Sequence, residues 1–218
     1  MKKIVVFLGA PGAGKGTAAA AVAASTGARH VSTGAMLRDA VSRGTPAGLE
    51  AKSYMEAGGL VPDEVLYKMI GELLAETADG TVLFFDGFPR NVAQAEALAE
   101  LAASGGAGVA GAVCLDVSKE ALLVRLGGRR VCPACGAGYH VATLPPKKEG
   151  VCDKCGAALV VRTDDQPATI AHRLEVYEQA TAPVVGFYEK AGSLRRIDAS
   201  GSAADVAALV ASAVAALV

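Results

Sequence analysis

The first segment that could do chemistry is a glycine-rich run near the start of the chain, Gly9-Ala10-Pro11-Gly12-Ala13-Gly14-Lys15-Gly16-Thr17. It follows an apolar run and precedes a helical pattern, which is the strand, loop and helix context of a phosphate-binding loop. Glycines let backbone N–H groups surround an anion, and Lys15 adds a mobile positive charge. The segment predicts phosphate binding by Gly12, Ala13, Gly14, Lys15, Gly16 and Thr17. The strict pattern has Ser or Thr directly after the lysine, where this chain has Gly16.

A second segment carries four cysteines in two pairs. Cys132 and Cys135 are separated by sixteen residues from Cys152 and Cys155, a spacing typical of tetrahedral zinc sites. Four thiolates complete the zinc shell and leave no position for water or substrate, so the predicted Zn²⁺ is structural. A nucleic-acid-binding zinc ribbon is the alternative, and it is favoured by nearby basic residues, namely Arg129, Arg130, Lys147, Lys148 and Lys154.

Composition argues against nucleic acid and membrane partners. The 218 residues include 21 Lys and Arg against 22 Asp and Glu, a net charge of −1, whereas nucleic-acid-binding domains carry a basic excess. The 52% hydrophobic and 20% charged composition is typical of a globular protein with a core. The apolar runs Ile4–Leu8 and Val206–Val218 are too short for a signal peptide or a membrane span, so we expect a cytoplasmic protein.

The elements that must position these residues alternate along the chain. Near-continuous apolar runs predict strands buried on both faces at Ile4–Leu8, Val82–Phe85 and Val109–Val117, with a last strand near Ser193–Asp198. Helical patterns cover Ala18–Thr26, Ala35–Arg43, Ala47–Ala57, Asp63–Glu76, Ala93–Ser104 and Pro167 to about Lys190, with a bend at Pro183. Thr33 and Asp63 are predicted helix caps. The alternation indicates an α/β fold with a parallel-sheet core, helices on both faces, and a small inserted domain around the cysteines.

Together these motifs resemble the nucleoside monophosphate kinases, and within them the adenylate kinases. Besides the glycine loop, the resemblance rests on Ser32-Thr33-Gly34, Met36-Leu37-Arg38, Asp86-Gly87-Phe88-Pro89-Arg90, Gly127-Gly128-Arg129-Arg130, Arg162 with Asp164-Asp165, and Arg173. It implies phosphoryl transfer from MgATP to AMP, giving two ADP. It also implies a core of residues 1–31, 62–123 and 166–218, a helical AMP-binding segment of residues 32–61, and a zinc-binding lid of residues 124–165. We expect a monomer.

The resemblance also assigns roles to residues. It places Arg38 and Arg90 on the monophosphate, Arg125, Arg129 and Arg162 at the triphosphate, and Arg173 at the transferring group. The implied AMP-binding set is Thr33, Gly34, Arg38, Leu60, Val61, Gly87, Arg90, Gln94, Arg162 and Arg173. The implied catalytic set is Lys15, Asp86, Arg90, Arg125, Arg162 and Arg173. Asp86 ends a predicted strand, where a carboxylate could act on Mg²⁺ through water.

Several alternatives stay open at this point. Gln94 could pair with the adenine edge or lie on an exposed helix face, and Asp164 and Asp165 could pair with arginines or form a turn. A GTPase would need a guanine-reading NKxD loop, which the chain lacks. Uridylate and cytidylate kinases usually have short lids, so the inserted cysteine segment argues against them. Ala18 and Ala35 depart from the family pattern without removing a phosphate ligand.

Overall fold

The computed structural model describes residues 1–218, and a five-stranded parallel sheet forms its centre. The strands of this sheet are β1 (Lys2–Leu8), β2 (Arg29–Ser32), β3 (Val82–Asp86), β4 (Ala107–Asp116) and β7 (Leu194–Asp198). Their spatial order is β2-β3-β1-β4-β7, and every neighbouring pair is parallel. The predicted α/β fold with a parallel core is therefore confirmed, and the glycine loop follows its central strand.

Helices cover both faces of the sheet. They are α1 (Lys15–Thr26), α2 (Thr33–Ser42), α3 (Pro46–Ala57), α4 (Asp63–Glu76), α5 (Val92–Ser104), α6 (Lys119–Gly127), α7 (Pro167–Val176), α8 (Ala182–Lys190) and α9 (Ala203–Ala215). None of them combines the length and the apolar character that crossing a bilayer requires.

Two hydrophobic cores lie on opposite faces of the sheet, and β1 contributes to both. Ile4 and Val6 pack in a core with residues of α4, α5 and α8, whereas Val5 and Phe7 pack in a core with residues of α1, α7 and α9. Successive residues of a strand point to opposite faces, so a strand covered on both sides must be apolar throughout. This burial is the physical reason for the continuous apolar run at the start of the chain.

The cysteine segment forms a small unit of its own. Strands β5 (Arg129–Val131) and β6 (Gly138–His140) pair antiparallel, and Val131 also bridges to Val160. A separate small core contains Cys132, Cys152 and Tyr139. The inserted domain expected from the change in composition is therefore present, with very little apolar burial.

Some local predictions were wrong or incomplete. The cap of α2 is Ser32 rather than Thr33, since the Ser32 hydroxyl accepts a hydrogen bond from the backbone N–H of Ala35. Asp63 makes no capping hydrogen bond, because α4 begins directly after Pro62 and the Asp63 carboxylate is used elsewhere. Strand β2 and helix α6 were not predicted. Before Pro183 the helix widens into a π-helical turn over Tyr177–Thr181, which accommodates the proline ring.

Candidate active site

The glycine loop closes around its own lysine. The Lys15 ammonium donates hydrogen bonds to the carbonyl oxygens of Gly9 (2.7 Å) and Ala10 (3.0 Å). Gly14, at φ 95°, precedes α1 and provides no side-chain cap, so the first N–H groups of the helix remain directed at the loop. Burial lowers the pKa of Lys15 from 10.5 to about 8, although the charge of Asp86 raises it in part. The loop offers N–H donors and one partly desolvated cation to an anion.

Gly16 explains the departure from the strict loop pattern. A Cβ atom at this position would lie 2.9 Å from Oδ2 of Asp86, so a serine or threonine would push the carboxylate away. Burial by itself would raise the pKa of Asp86, but the His30 ring and the Lys15 charge outweigh it and hold the pKa below 3.8. The His30 Nε2 atom lies 3.8 Å from Oδ2. An ionised carboxylate therefore stands beside the phosphate loop, where it fits a hydrated Mg²⁺.

A pocket opens beside this carboxylate, between α2, α4 and the loop after β3. Its lining residues are Thr33, Leu37, Leu60, Val61, Leu66, Gly87, Arg90 and Gln94. Six of the ten residues implied for AMP binding thus line one pocket. A Cβ at Gly87, which has φ 91°, would lie 2.8 Å from Oγ1 of Thr33. Only glycine therefore allows the backbone to adopt this conformation so close to the Thr33 side chain.

Gln94 is fully buried, which removes the possibility that it lies on an exposed helix face. Its Nε2 donates to Oδ1 of Asp63 (2.6 Å), and its Oε1 accepts from the backbone N–H of Arg90 (2.6 Å). Asn91 caps α5 by accepting from the Gln94 backbone N–H (2.7 Å). The Thr181 hydroxyl, in the π-helical turn, donates to the carbonyl of Arg90 (2.8 Å). Hydrogen bonds to Asp63, Asn91 and Thr181 therefore hold the whole turn from Arg90 to Gln94 in place.

Arginines and aspartates form an alternating network at the mouth of the cleft. Arg129 binds Asp165 with two hydrogen bonds, and Arg162 binds Asp164 through Nε (2.8 Å) and Nη2 (2.5 Å). Arg173 joins the two pairs, since its Nη1 lies 2.9 Å from Oδ1 of Asp165 and 3.2 Å from Oδ2 of Asp164. The aspartates occupy a 3-10 turn over Thr163–Asp165, so both expectations for them, pairing and turn, are met together.

Two further arginines approach the cleft from other elements. Burial lowers the pKa of Arg38 to about 10, and the nearby positive charge of Arg162 adds to this effect. Arg38 and the network are therefore within electrostatic range of each other. Arg125 of α6 donates through Nη2 to the carbonyl of Ala199 (2.8 Å), and its Nη1 lies 3.5 Å from the carbonyl of Ala13 in the glycine loop. The cleft thus holds more guanidinium groups than its three aspartates, Asp86, Asp164 and Asp165, can neutralise.

The four cysteine sulfurs converge in the small unit. All four Sγ atoms lie within 4.8 Å of one another, with 3.4 Å between Cys132 and Cys155 and 3.5 Å between Cys135 and Cys152. Zn–S bonds of about 2.3 Å in a tetrahedron require sulfur separations of about 3.8 Å, so the group fits Zn²⁺. The Tyr139 hydroxyl lies 3.5 Å from Sγ of Cys152 and accepts a hydrogen bond from the N–H of Asp153 (2.8 Å). Such outer contacts orient metal ligands.

Sequence reasoning missed Asp63, Asn91, Thr181 and Tyr139 as supports of these sites. A signal for Asn91 was available, because an Asn directly before a helical pattern is a common cap. The other three act through contacts between distant segments, which spacing does not reveal.

Comparisons with known proteins identify relatives over most of the chain. The model of the adenylate kinase family matches residues 7–193. Adenylate kinase of Syntrophobacter fumaroxidans is 49% identical over 91% of this chain and 93% of the relative. Adenylate kinase of Pelobacter propionicus is 49% identical over 90% of this chain and 89% of the relative. Adenylate kinase of Carboxydothermus hydrogenoformans is 46% identical over 94% of this chain and 96% of the relative.

Proposed function

The chain belongs to the adenylate kinase family, and from this premise we propose how its residues divide the transfer of a phosphoryl group from MgATP to AMP. The reaction gives two ADP. The bond between the terminal phosphorus of ATP and its bridging oxygen breaks, and an AMP phosphate oxygen forms the new bond to that phosphorus. Both nucleotides are polyanions, so catalysis requires neutralised charge and in-line positioning.

The observation that carries this proposal is the junction at the end of β3. Asp86 and Gly87 are consecutive, yet Asp86 lies against Gly16 of the glycine loop while Gly87 lines the pocket with Thr33 and Arg90. A triphosphate on the glycine loop and a monophosphate nucleotide in the pocket would therefore have adjacent phosphates. This adjacency is what transfer between two nucleotides needs.

On the donor side, Lys15 and the N–H groups of Gly12 to Thr17 bind the triphosphate. Arg125 and Arg129 bind its outer oxygens, and a bound phosphate competes with the carbonyl and carboxylate partners that they now have. Mg²⁺, when bound with ATP, neutralises charge on the transferring phosphate. Asp86 would hold such an ion through bound water, since its carboxylate stays ionised beside the loop.

On the acceptor side, Arg38 and Arg90 hold the AMP phosphate, and Thr33, Gly34 and Gln94 face its base. Leu60 and Val61, which line the pocket, close it against the nucleoside. Arg162 and Arg173 reach the acceptor phosphate and the transferring group from the aspartate turn. We propose that the lid, residues 124–165, moves toward the AMP-binding segment, residues 32–61, and excludes water that would otherwise hydrolyse ATP.

The cysteine group serves the lid rather than the reaction. Cys132, Cys135, Cys152 and Cys155 would hold Zn²⁺ with no open coordination position, and the arginines of the cleft lie outside the group. A unit of this size buries too little apolar surface to fold alone, so the metal supplies much of its folding free energy. The expected monomeric state and cytoplasmic location remain predictions.

A coupled assay of phosphoryl acceptors tests the proposal. With ATP as donor, we expect AMP to give the highest kcat/KM among AMP, CMP, UMP and GMP. A uridylate or cytidylate kinase would prefer UMP or CMP, and that preference would contradict the assignment of the pocket.

A further inference from the structure

We propose that Asp63 makes the acceptor pocket selective for 6-aminopurine over 6-oxopurine nucleotides, by fixing the direction of the Gln94 side-chain amide. This inference rests on the proposed function, in which Gln94 faces the base of the acceptor nucleotide. Asp63 is then a positioning residue, since it acts through Gln94 rather than on the nucleotide.

The partners of Gln94 leave its amide only one direction. The Asp63 carboxylate can only accept hydrogen bonds, so the amide atom 2.6 Å from its Oδ1 must be the nitrogen. The backbone N–H of Arg90 can only donate, so the amide atom 2.6 Å away must be the oxygen. Turning the amide over would place two donors together at Arg90 and two acceptors together at Asp63. Gln94 is 0% exposed, so water cannot relieve either contact.

Asp63 is itself held in place. The Tyr67 hydroxyl donates to Oδ2 of Asp63 (3.3 Å), which leaves Oδ1 for Gln94. The Tyr67 ring stands edge-on to Phe88, with ring centroids 6.2 Å apart, in the same loop that carries Arg90. Gln94 is anchored from the other side by the Asn91 cap. Both ends of the Asp63–Gln94 hydrogen bond are therefore fixed by separate contacts.

Each atom of the fixed amide uses one hydrogen-bonding position, so one N–H and one oxygen lone pair remain, and Gln94 is among the residues that line the pocket. Side by side, a donor and an acceptor match the edge of adenine, where N1 accepts and the 6-amino group donates. A 6-oxopurine reverses both groups, because O6 accepts and N1–H donates. It could bind in the same pose only if the amide turned over, and the Asp63 carboxylate opposes that turn. Reading the base through a fixed donor and acceptor rejects the wrong base more strongly than shape does.

The test compares AMP with inosine 5′-monophosphate, which differs from AMP in this edge alone. Variants Asp63→Asn and Asp63→Ala are assayed with saturating ATP, and the readout is the ratio of kcat/KM for AMP to kcat/KM for inosine monophosphate. We expect this ratio to fall about threefold or more in both variants, through the acceptor KM, with the KM for ATP unchanged, because only the backbone N–H of Arg90 then opposes the turned amide. Asp63→Asn preserves side-chain volume, so it guards against a loss of folding in Asp63→Ala.

Two comparison variants make the outcome decisive. Glu64→Gln removes a carboxylate from the next position of α4, which is exposed and accepts no hydrogen bond from Gln94, and should leave the ratio unchanged. Gln94→Leu removes both groups of the amide and should lower the ratio further than the Asp63 variants do. The positioning role of Asp63 is refuted if Gln94→Leu lowers the AMP-to-inosine monophosphate ratio while the Asp63 variants do not. It is also refuted if the Asp63 variants reduce kcat/KM equally for both acceptors. If Gln94→Leu leaves the ratio unchanged, the placement of Gln94 in the proposed function is wrong, and this inference falls with it.

Discussion

Replacing Lys15 with methionine would separate two effects of the Lys15 charge: its cost to the stability of the folded protein and its contribution to catalysis. Burial holds the pKa of Lys15 at about 8 instead of 10.5, and about 1.4 kcal/mol for each pKa unit makes this about 3.5 kcal/mol against the charged amine. Methionine removes that cost but also removes two hydrogen bonds to Gly9 and Ala10, each worth about 1 kcal/mol. Because Lys15 keeps some contact with water, the net gain in the free energy of unfolding should be about 1 kcal/mol.

The two proteins should also respond differently to pH. Below about pH 8, Lys15 is protonated in both the folded and the unfolded chain, so the full cost is present. Between about pH 8 and 10.5 the unfolded chain binds more protons than the folded one, so the stability of the wild-type protein rises with pH. Lys15→Met lacks this rise, and its advantage should shrink as the pH increases.

Thermal melts of the ligand-free proteins at about pH 7 and about pH 9.5 measure this effect, and a coupled assay measures turnover. We expect Lys15→Met to melt about 2–4 °C higher at the lower pH and to lose about a hundredfold or more in kcat, because a charge aimed at the transferring phosphate is gone. A folded variant with near-normal turnover would refute the catalytic role. A variant that melts lower at pH 7, with the same pH dependence as the wild type, would refute the account of the buried charge.

Three other results are expected. Arg38→Ala or Arg90→Ala should raise the KM for AMP about tenfold or more, with a smaller effect on ATP, and steady-state kinetics with equal effects on both would contradict the acceptor assignment. Elemental analysis should find about one zinc per chain. Cys135→Ser should lower the melting temperature by about 5 °C or more, and the variant should keep substantial activity below its own melting temperature. A variant with unchanged melting temperature and lost catalysis would place the metal in the reaction. Tyr188→Phe should leave the free energy of unfolding equal or about 1 kcal/mol higher in urea titrations, because the Tyr188 hydroxyl is buried without a hydrogen-bond partner, and a clear loss would reveal a partner.

Features that depend on residues close together in the chain were predictable from the sequence alone. The glycine loop, the two cysteine pairs and helix α4, whose bounds Asp63–Glu76 match the prediction, each depend on spacing within one segment. The parallel sheet followed from apolar runs such as β1, because a strand buried on both faces cannot carry polar residues. These patterns are local consequences of backbone geometry and burial, so a single sequence records them.

What the sequence left open was decided by contacts between distant segments. Strand β2 is short and partly polar, and its place at the edge of the sheet depends on pairing with β3. Asp63 resembles a helix cap by position, yet its carboxylate is taken by Gln94, 31 residues away. Whether Gln94 is exposed or buried, and whether Asp164 and Asp165 meet arginines, depends equally on how separate elements pack. Hydrogen bonds and ion pairs across such distances form only once hydrophobic burial has brought the elements together, so tertiary structure decides them.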